Sequence, residues 1–171
     1  MAHLDDLYRI AAHLGHGPGE AEDLVQETYA RALASYRQFE PGTRLKAWLA
    51  KILHNLFYDR YRRAKRVISL DDREAGGCGE KLSAVAPGPL ENLLRAERSE
   101  KIGAAVARLP DEFRMAVVLV DLGDLSYAEA AEILSCPVGT VRSRLSRARQ
   151  LLRQQLSDYV LDDENEKKTW K

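Results

Sequence analysis

The 171-residue sequence contains no run of about 18 apolar residues, the length a bilayer-spanning helix requires. Its opening, MAHLDDLYRI, lacks the basic segment and apolar stretch of a secretion signal, so a cytoplasmic location is expected. Cysteine is scarce. Cys78 and Cys136 lie far apart with no CxxC or HxxxC companion, which argues against a disulfide framework and a zinc site and leaves two reduced thiols. His3, His13, His16 and His54 show no ligand spacing with cysteines or carboxylates, so no metal is expected. No nucleophile with a base and an orienter is discernible, nor a glycine loop that would cradle phosphate, and the chain reads as neither an enzyme nor a holder of cofactors. Alternation with a period of two is missing as well, which leaves an all-α fold.

Net charge is also missing: 26 Lys and Arg balance 26 Asp and Glu. The charges are nevertheless segregated. Between Asp5 and Glu27 nearly all are acidic, from Arg44 to Arg66 all but Asp59 are basic, from Arg142 to Arg153 all are basic, and from Asp158 to Glu166 all are acidic. Two basic blocks set between acidic ones resemble two footprints on a polyanion, carried by a protein that also touches something else. The plainer alternative is a set of solvated helix faces.

Helical periodicity falls into three stretches. After the turn signal GHGPG, apolar residues recur at Ala21, Leu24, Val25, Tyr29, Ala32, Leu33 and Tyr36, with Asp23, Gln26, Glu27 and Ala30 on the other face. A loop marked by Pro41 and Gly42 precedes a long helix with an apolar side of Leu45, Trp48, Leu49, Ile52, Leu53 and Leu56; Lys51, Asn55, Asp59, Arg62 and Arg66 lie opposite. Trp48, Tyr29 and Phe113 read as core residues. From residue 67 to 89 the stripe dissolves into a Gly- and Pro-rich linker, and helical spacing resumes through Ile102, Ala105, Val106 and Leu109, then Phe113, Ala116, Val117 and Val120 up to Gly123. The tail over residues 158–171 reads as frayed or disordered.

The second half carries a specific signal. Ser126 and Glu129 make an S-x-x-E capping box that starts one helix, and Pro137 marks the start of another. Two short helices joined by a tight turn form a helix-turn-helix, whose second member enters the major groove. Val138, Val141, Leu145, Ala148 and Leu152 then face inward, while Gly139, Arg142, Ser143, Ser146, Arg147 and Gln150 face outward. Arginine can clamp a guanine edge and serine permits close approach, so Arg142, Ser143, Ser146 and Arg147 are expected to read duplex DNA. Arg144, Arg149 and Arg153 are expected to turn toward flanking phosphates or solvent.

In the first half, Tyr36, Phe39 and Arg44 in the loop and Asn55 on the basic helix offer stacking rings, an amide for a base edge and neutralisers for phosphate. That set suits a separated strand. Asp59 can brace Arg62 and Arg63 at i+3 and i+4. The stretches AEDLVQETYARAL, F-x-P-G-T-x-L-K-A-W-L, I-L-x-N-x-x-x-D-x-x-R and CPVGTVRSRLSRAR, in this order, resemble bacterial RNA polymerase sigma factors of the extracytoplasmic-function group in the sigma-70 family. The loop and long helix are most similar to the branch that answers thiol-oxidative stress.

That resemblance implies two small helical domains. Residues 1–66 would be region 2, which binds core polymerase and the -10 element; 67–89 a linker threading toward the RNA exit path; and 90–157 region 4, which reads the -35 element. It implies that Asp23, Gln26 and Glu27 dock on the largest polymerase subunit. It further implies that Tyr36, Phe39, Arg44, Asn55, Asp59, Arg62 and Arg63 hold the -10 strand, and that an anti-sigma factor is a further partner. Two departures stand out: the first helix is shorter than the family's, and Ser135 occupies a turn position where glycine is frequent. The competing reading is a free-standing helix-turn-helix regulator. It leaves the acidic helix and the first basic block without a purpose.

Overall fold

The computed structural model describes residues 3–14, 18–40, 42, 44–68 and 100–168. Its helices are α1 (Leu4–Leu14), α2 (Pro18–Ala34), α3 (Leu45–Ile68), α4 (residues 100–107), α5 (Asp111–Val117), α6 (Tyr127–Ile133) and α7 (Val138–Lys168). A 3-10 turn over Tyr36–Gln38 follows α2, and a π-helical turn over Val118–Leu122 follows α5. No strand occurs among the described residues. The fold is all-α, as the sequence pattern predicts. The expected linker falls outside the described residues except at its start, because α3 continues through Ile68.

In the first domain, Leu7, Ile10, Ala11 and Leu14 recur at i, i+3, i+4 and i+7 and are all buried, so even a short α1 presents one complete apolar stripe. They pack against Ala21, Leu24, Val25 and Ala32 of α2 and Leu49, Ala50, Leu53 and Leu56 of α3. Burying such side chains contributes roughly 1.5–3 kcal/mol each, and this outweighs the weak intrinsic stability of an 11-residue helix. Thr28, fully buried, donates its hydroxyl to the Leu24 carbonyl at 2.7 Å, which removes the cost of placing an oxygen in that stripe.

Several sequence expectations fail here, and Tyr36 and Leu45, assigned to the apolar stripes of α2 and α3 but lying at the turn after one helix and the first position of the other, are exposed. Leu33, assigned to the buried stripe, is 78% exposed, because it lies about 120° round α2 from Ala21. Ile102 and Val138 are likewise exposed, at 44% and 37%. The helix that begins at Val138 does not end near Ser157: α7 runs unbroken to Lys168, since no proline or glycine interrupts the chain after Gly139.

The second domain wraps α5, the π-turn and α6 around the first half of α7, with Met115, Leu119, Ala130, Ile133, Val141, Leu145 and Ala148 at its centre. Its core is continuous with that of the first domain. Gly123 stands at the seam, where an added Cβ would lie 2.9 Å from Ile10 Cδ1 and 2.7 Å from the Leu119 carbonyl oxygen. Its φ of −87° is ordinary, so glycine is required there for closeness of approach.

Candidate nucleic-acid interface

The turn between α6 and α7 is built by local hydrogen bonds. Ser126 Oγ accepts from the Glu129 N–H at 3.2 Å while the Glu129 carboxylate accepts from the Ser126 N–H at 2.8 Å, completing the capping box. Burial alone would raise the Glu129 pKa, but the hydrogen bonds from Ser126 and the nearby Arg44 and Lys46 charges hold it below the usual carboxylate value. Ser135 takes φ 51° and so turns the chain, and the Pro137 carbonyl accepts from the Thr140 and Val141 N–H groups at 2.9 and 3.3 Å. Helix α7 therefore starts one residue beyond the proline.

On α7, Val141, Leu145 and Ala148 are essentially inaccessible, which turns Arg142, Ser143, Ser146 and Arg147 outward. Arg142 lies over the Tyr127 ring, 6.0 Å from its centroid. The Ser143 hydroxyl donates to the Thr140 carbonyl at 2.9 Å, which leaves its oxygen as an acceptor on the outward face. Among the described residues neither Arg142 nor Arg147 belongs to an ion pair.

Two of the other arginines of this block behave differently from the expectation. Arg149 forms a two-pronged contact with Asp121 at 3.0 and 2.6 Å, and that partner raises its pKa. Arg144 lies 3.2 Å from Glu112 and beside Cys136. These two guanidiniums bind the helix to its own domain instead of pointing at phosphate or solvent; Arg153 is exposed. Sequence spacing alone could not separate them, because Glu112 and Asp121 arrive from a distant segment.

In the first domain the expected loop residues form an aromatic chain. Tyr36, 66% exposed, stacks at 6.4 Å on Phe39, and Phe39 meets the half-buried Trp48 edge-on at 5.2 Å. Asn55, Asp59, Arg62 and Arg63 are all exposed on α3, in line with Lys51. His54 Nδ1 lies 3.4 Å from the Asn55 side-chain oxygen, and burial lowers the His54 pKa. The expected brace does not form: among the described residues no ion pair joins Asp59 to Arg62 or Arg63, and Asp59 is exposed. The Arg66 side chain lies outside the described residues, as does Cys78.

The acidic face of α2 is similarly resolved. Asp23 and Gln26 are exposed, beside Ala30 and Leu33. Glu27 differs, since Arg60 of α3 lies 2.6 Å from its carboxylate and Arg31 3.7 Å, which makes it a link between helices as well as part of the face.

Comparison with known families places these elements. Residues 1–67 match the model of Sigma-70 region 2, and residues 99–152 that of Sigma-70, region 4. The chain is 40% identical over 152 residues to the ECF RNA polymerase sigma factor EcfG of Rhodopseudomonas palustris, covering 89% of this chain and 80% of that protein. The chain belongs to the sigma-70 family.

Within that family, the ECF RNA polymerase sigma factor SigE of Mycolicibacterium smegmatis is 39% identical, with 92% of this chain and 60% of the relative covered. A solved relative is the sigma factor RpoE of Bartonella quintana, crystallised with the anti-sigma factor NepR, at TM-score 0.74 and 35% identity over 90% of this chain and 91% of that one. These names span the extracytoplasmic-function group and give no support to the narrower thiol-oxidative branch.

Several contacts of this sigma-70 chain escaped the sequence reading. Lys46 is only 6% exposed and contacts Asp6 of α1 at 3.1 Å; a lysine among apolar positions gave the only hint. Arg44 contacts Glu129 of the second domain at 3.3 Å. Tyr61 engages Asp111, which raises the phenol's pKa chiefly through its negative charge, and also through a hydrogen bond. Among the described residues no group of three or more His, Cys, Asp or Glu side chains is placed to hold a metal ion, and no helix is long and apolar enough to cross a membrane.

Proposed function

We propose that this protein acts in the cytoplasm as the promoter-specificity subunit of RNA polymerase. The exposed face of Asp23, Gln26, Ala30 and Leu33, with Glu27 at its edge, docks on core polymerase. Tyr36, Phe39, Arg44, Asn55, Asp59, Arg62 and Arg63 hold the -10 element as a separated strand. The observation that carries this reading is the set of surfaces: an exposed acidic and apolar face on α2, joined at its edge to α3 by the Glu27–Arg60 ion pair, accompanies two cationic faces, each on its own domain. A regulator acting alone needs one cationic face and has no use for the others.

Strand separation costs a few kcal/mol per unstacked step, and the exposed Tyr36 ring, backed by Phe39 and Trp48, offers a base a surface that is already ordered. Arg142 and Arg147 read base edges in the -35 duplex, with Ser143 and Ser146 permitting close approach. Because the Bartonella relative was solved with an anti-sigma factor, sequestration by such a protein is part of the proposal.

Reconstitution tests it. Core polymerase with this protein, on a promoter selected from random DNA by the pair, is expected to initiate at one site, and core polymerase alone is not. Tight site-specific binding by the protein alone, indifferent to core polymerase, would favour the free-standing regulator.

A further inference from the structure

Three arginines of α7 meet partners within their own domain, and the partners differ in kind. Arg144 and Arg149 direct their N–H groups at the carboxylates of Glu112 and Asp121. Arg142 instead rests over the ring of Tyr127, 6.0 Å from its centroid. A ring face attracts a guanidinium through its π electrons and takes up none of its in-plane N–H donors. Arg142 is therefore steadied while its donors stay available, and its side chain remains exposed.

Tyr127 is itself held at both ends. It is the first residue of α6, directly after the Ser126 cap, and its ring packs against the core. Its hydroxyl accepts a hydrogen bond from Arg149, the arginine that Asp121 clamps at 3.0 and 2.6 Å. Arg142 and Arg149 are two helical turns apart and so lie on one line along α7, about 10 Å from each other at the backbone. A tyrosine laid beside that line meets the first arginine through its face and the second through its tip.

We infer that Tyr127 is the positioning residue of the -35 surface: its ring holds Arg142 in the pose in which the guanidinium presents its donor edge to a base pair in the major groove. The inference deepens the proposed reading of duplex by Arg142 and rests on it. Two donors of one guanidinium match the two acceptors of a guanine edge only when the side chain is correctly aimed. A freely rotating arginine loses much rotamer freedom on making that contact, and one already ordered over a ring loses less. Arg147 is exposed, and neither an ion pair nor a ring contact is found for it among the described residues, so it lacks this support.

Binding of the holoenzyme to promoters in which each -35 base pair is replaced in turn tests the assignment. Arg142→Ala is expected to erase preference at one or two positions, by roughly tenfold. Tyr127→Leu, which has no π face, is expected to lower preference at those same positions by roughly two- to five-fold, and to add nothing once Arg142 is alanine. Tyr127→Phe, which keeps the face, is expected to retain the preference. Equal weakening on every promoter, as a merely structural role would give, overturns the inference. If Arg142→Ala alters no preference, the proposed reading by Arg142 fails and the inference falls with it; preference lost in Arg142→Ala but kept in Tyr127→Leu removes the positioning role alone. A second measurement does not depend on that variant folding: nitrogen relaxation of the arginine Nε–H groups in the free wild-type protein. Arg142 is expected to be clearly more ordered than Arg147, and equal mobility of the two overturns the inference.

Discussion

Lys46 Nζ approaches Asp6 Oδ2 to 3.1 Å, with the lysine almost wholly buried and the carboxylate a quarter exposed. A lysine in that position would be destabilising without a counter-ion, so Asp6 compensates a charge that α3 carries into the interface with α1. Arg9 and His3 converge on the same carboxylate at 2.9 and 3.4 Å, which makes it the electrostatic centre of the α1 docking site.

Asp6→Ala is expected to cost about 2 kcal/mol, less than a fully buried pair because Asp6 still meets water. Lys46→Met, which removes the charge and retains the stem, is expected to cost far less. Urea denaturation of the two variants checks the asymmetry. Equal losses would show that the carboxylate does not compensate the lysine.

Acid sensitivity follows from three groups. His54 is harder to protonate folded than unfolded, so the unfolded chain binds the proton first and stability declines as the pH falls below about 6.5. Asp6 and Glu129 are held below their ordinary values in the fold, so they add stability above the carboxylate range and lose it as the pH drops through their folded values. Two successive declines are expected in the urea midpoint, and His54→Phe, which keeps a ring against Tyr58, is expected to flatten the first alone.

On the proposed reading, the arginines of α7 divide into those that read bases and those that brace the domain. Arg147→Ala is expected to lose roughly 1–3 kcal/mol of discrimination among -35 sequences with the melting temperature nearly unchanged. Arg149→Ala is expected to do the reverse, costing about 1 kcal/mol of stability through loss of Asp121, discounted for its exposure, with sequence preference retained. Binding of a promoter panel by the holoenzyme, alongside thermal melts, separates the two. If Arg147→Ala weakens all sequences equally, that residue contacts phosphate.

Leu33 stands out on α2 as an apolar side chain 78% exposed beside Asp23 and Gln26. Leu33→Asp is expected to leave folding intact and to weaken binding to core polymerase by about 2 kcal/mol, as a truncated anchor at an interface centre does. Titration with labelled core polymerase measures this. Unchanged affinity would move the docking surface away from α2.

The parts of this protein that depend on spacing were legible in the sequence. The capping box at Ser126 and Glu129 and the inward set Val141, Leu145 and Ala148 are local, and residues within a turn or two of each other determine them. Leu33 was misplaced because its spacing nearly fits the stripe, and only the angle around the helix excludes it. Arg149 was misassigned, and Arg44, Lys46 and Tyr61 were given no protein partner, because each partner lies tens of residues away. Periodicity shows which face of a helix is buried but is silent about what the exposed charges meet.

The π-turn over Val118–Leu122 has a consequence for tolerance to length change. It holds one residue more than an α-helical turn would in that stretch; Asp121, which meets Arg149, lies within it, and Gly123, which meets Ile10, directly follows. Deleting a single amino acid there would let the stretch close into an ordinary helical turn, so the wide turn itself absorbs the loss and the chain downstream keeps most of its direction. The same deletion in α6, which holds no surplus residue, would rotate the chain beyond it by about 100° and turn α7 away from its packing partners.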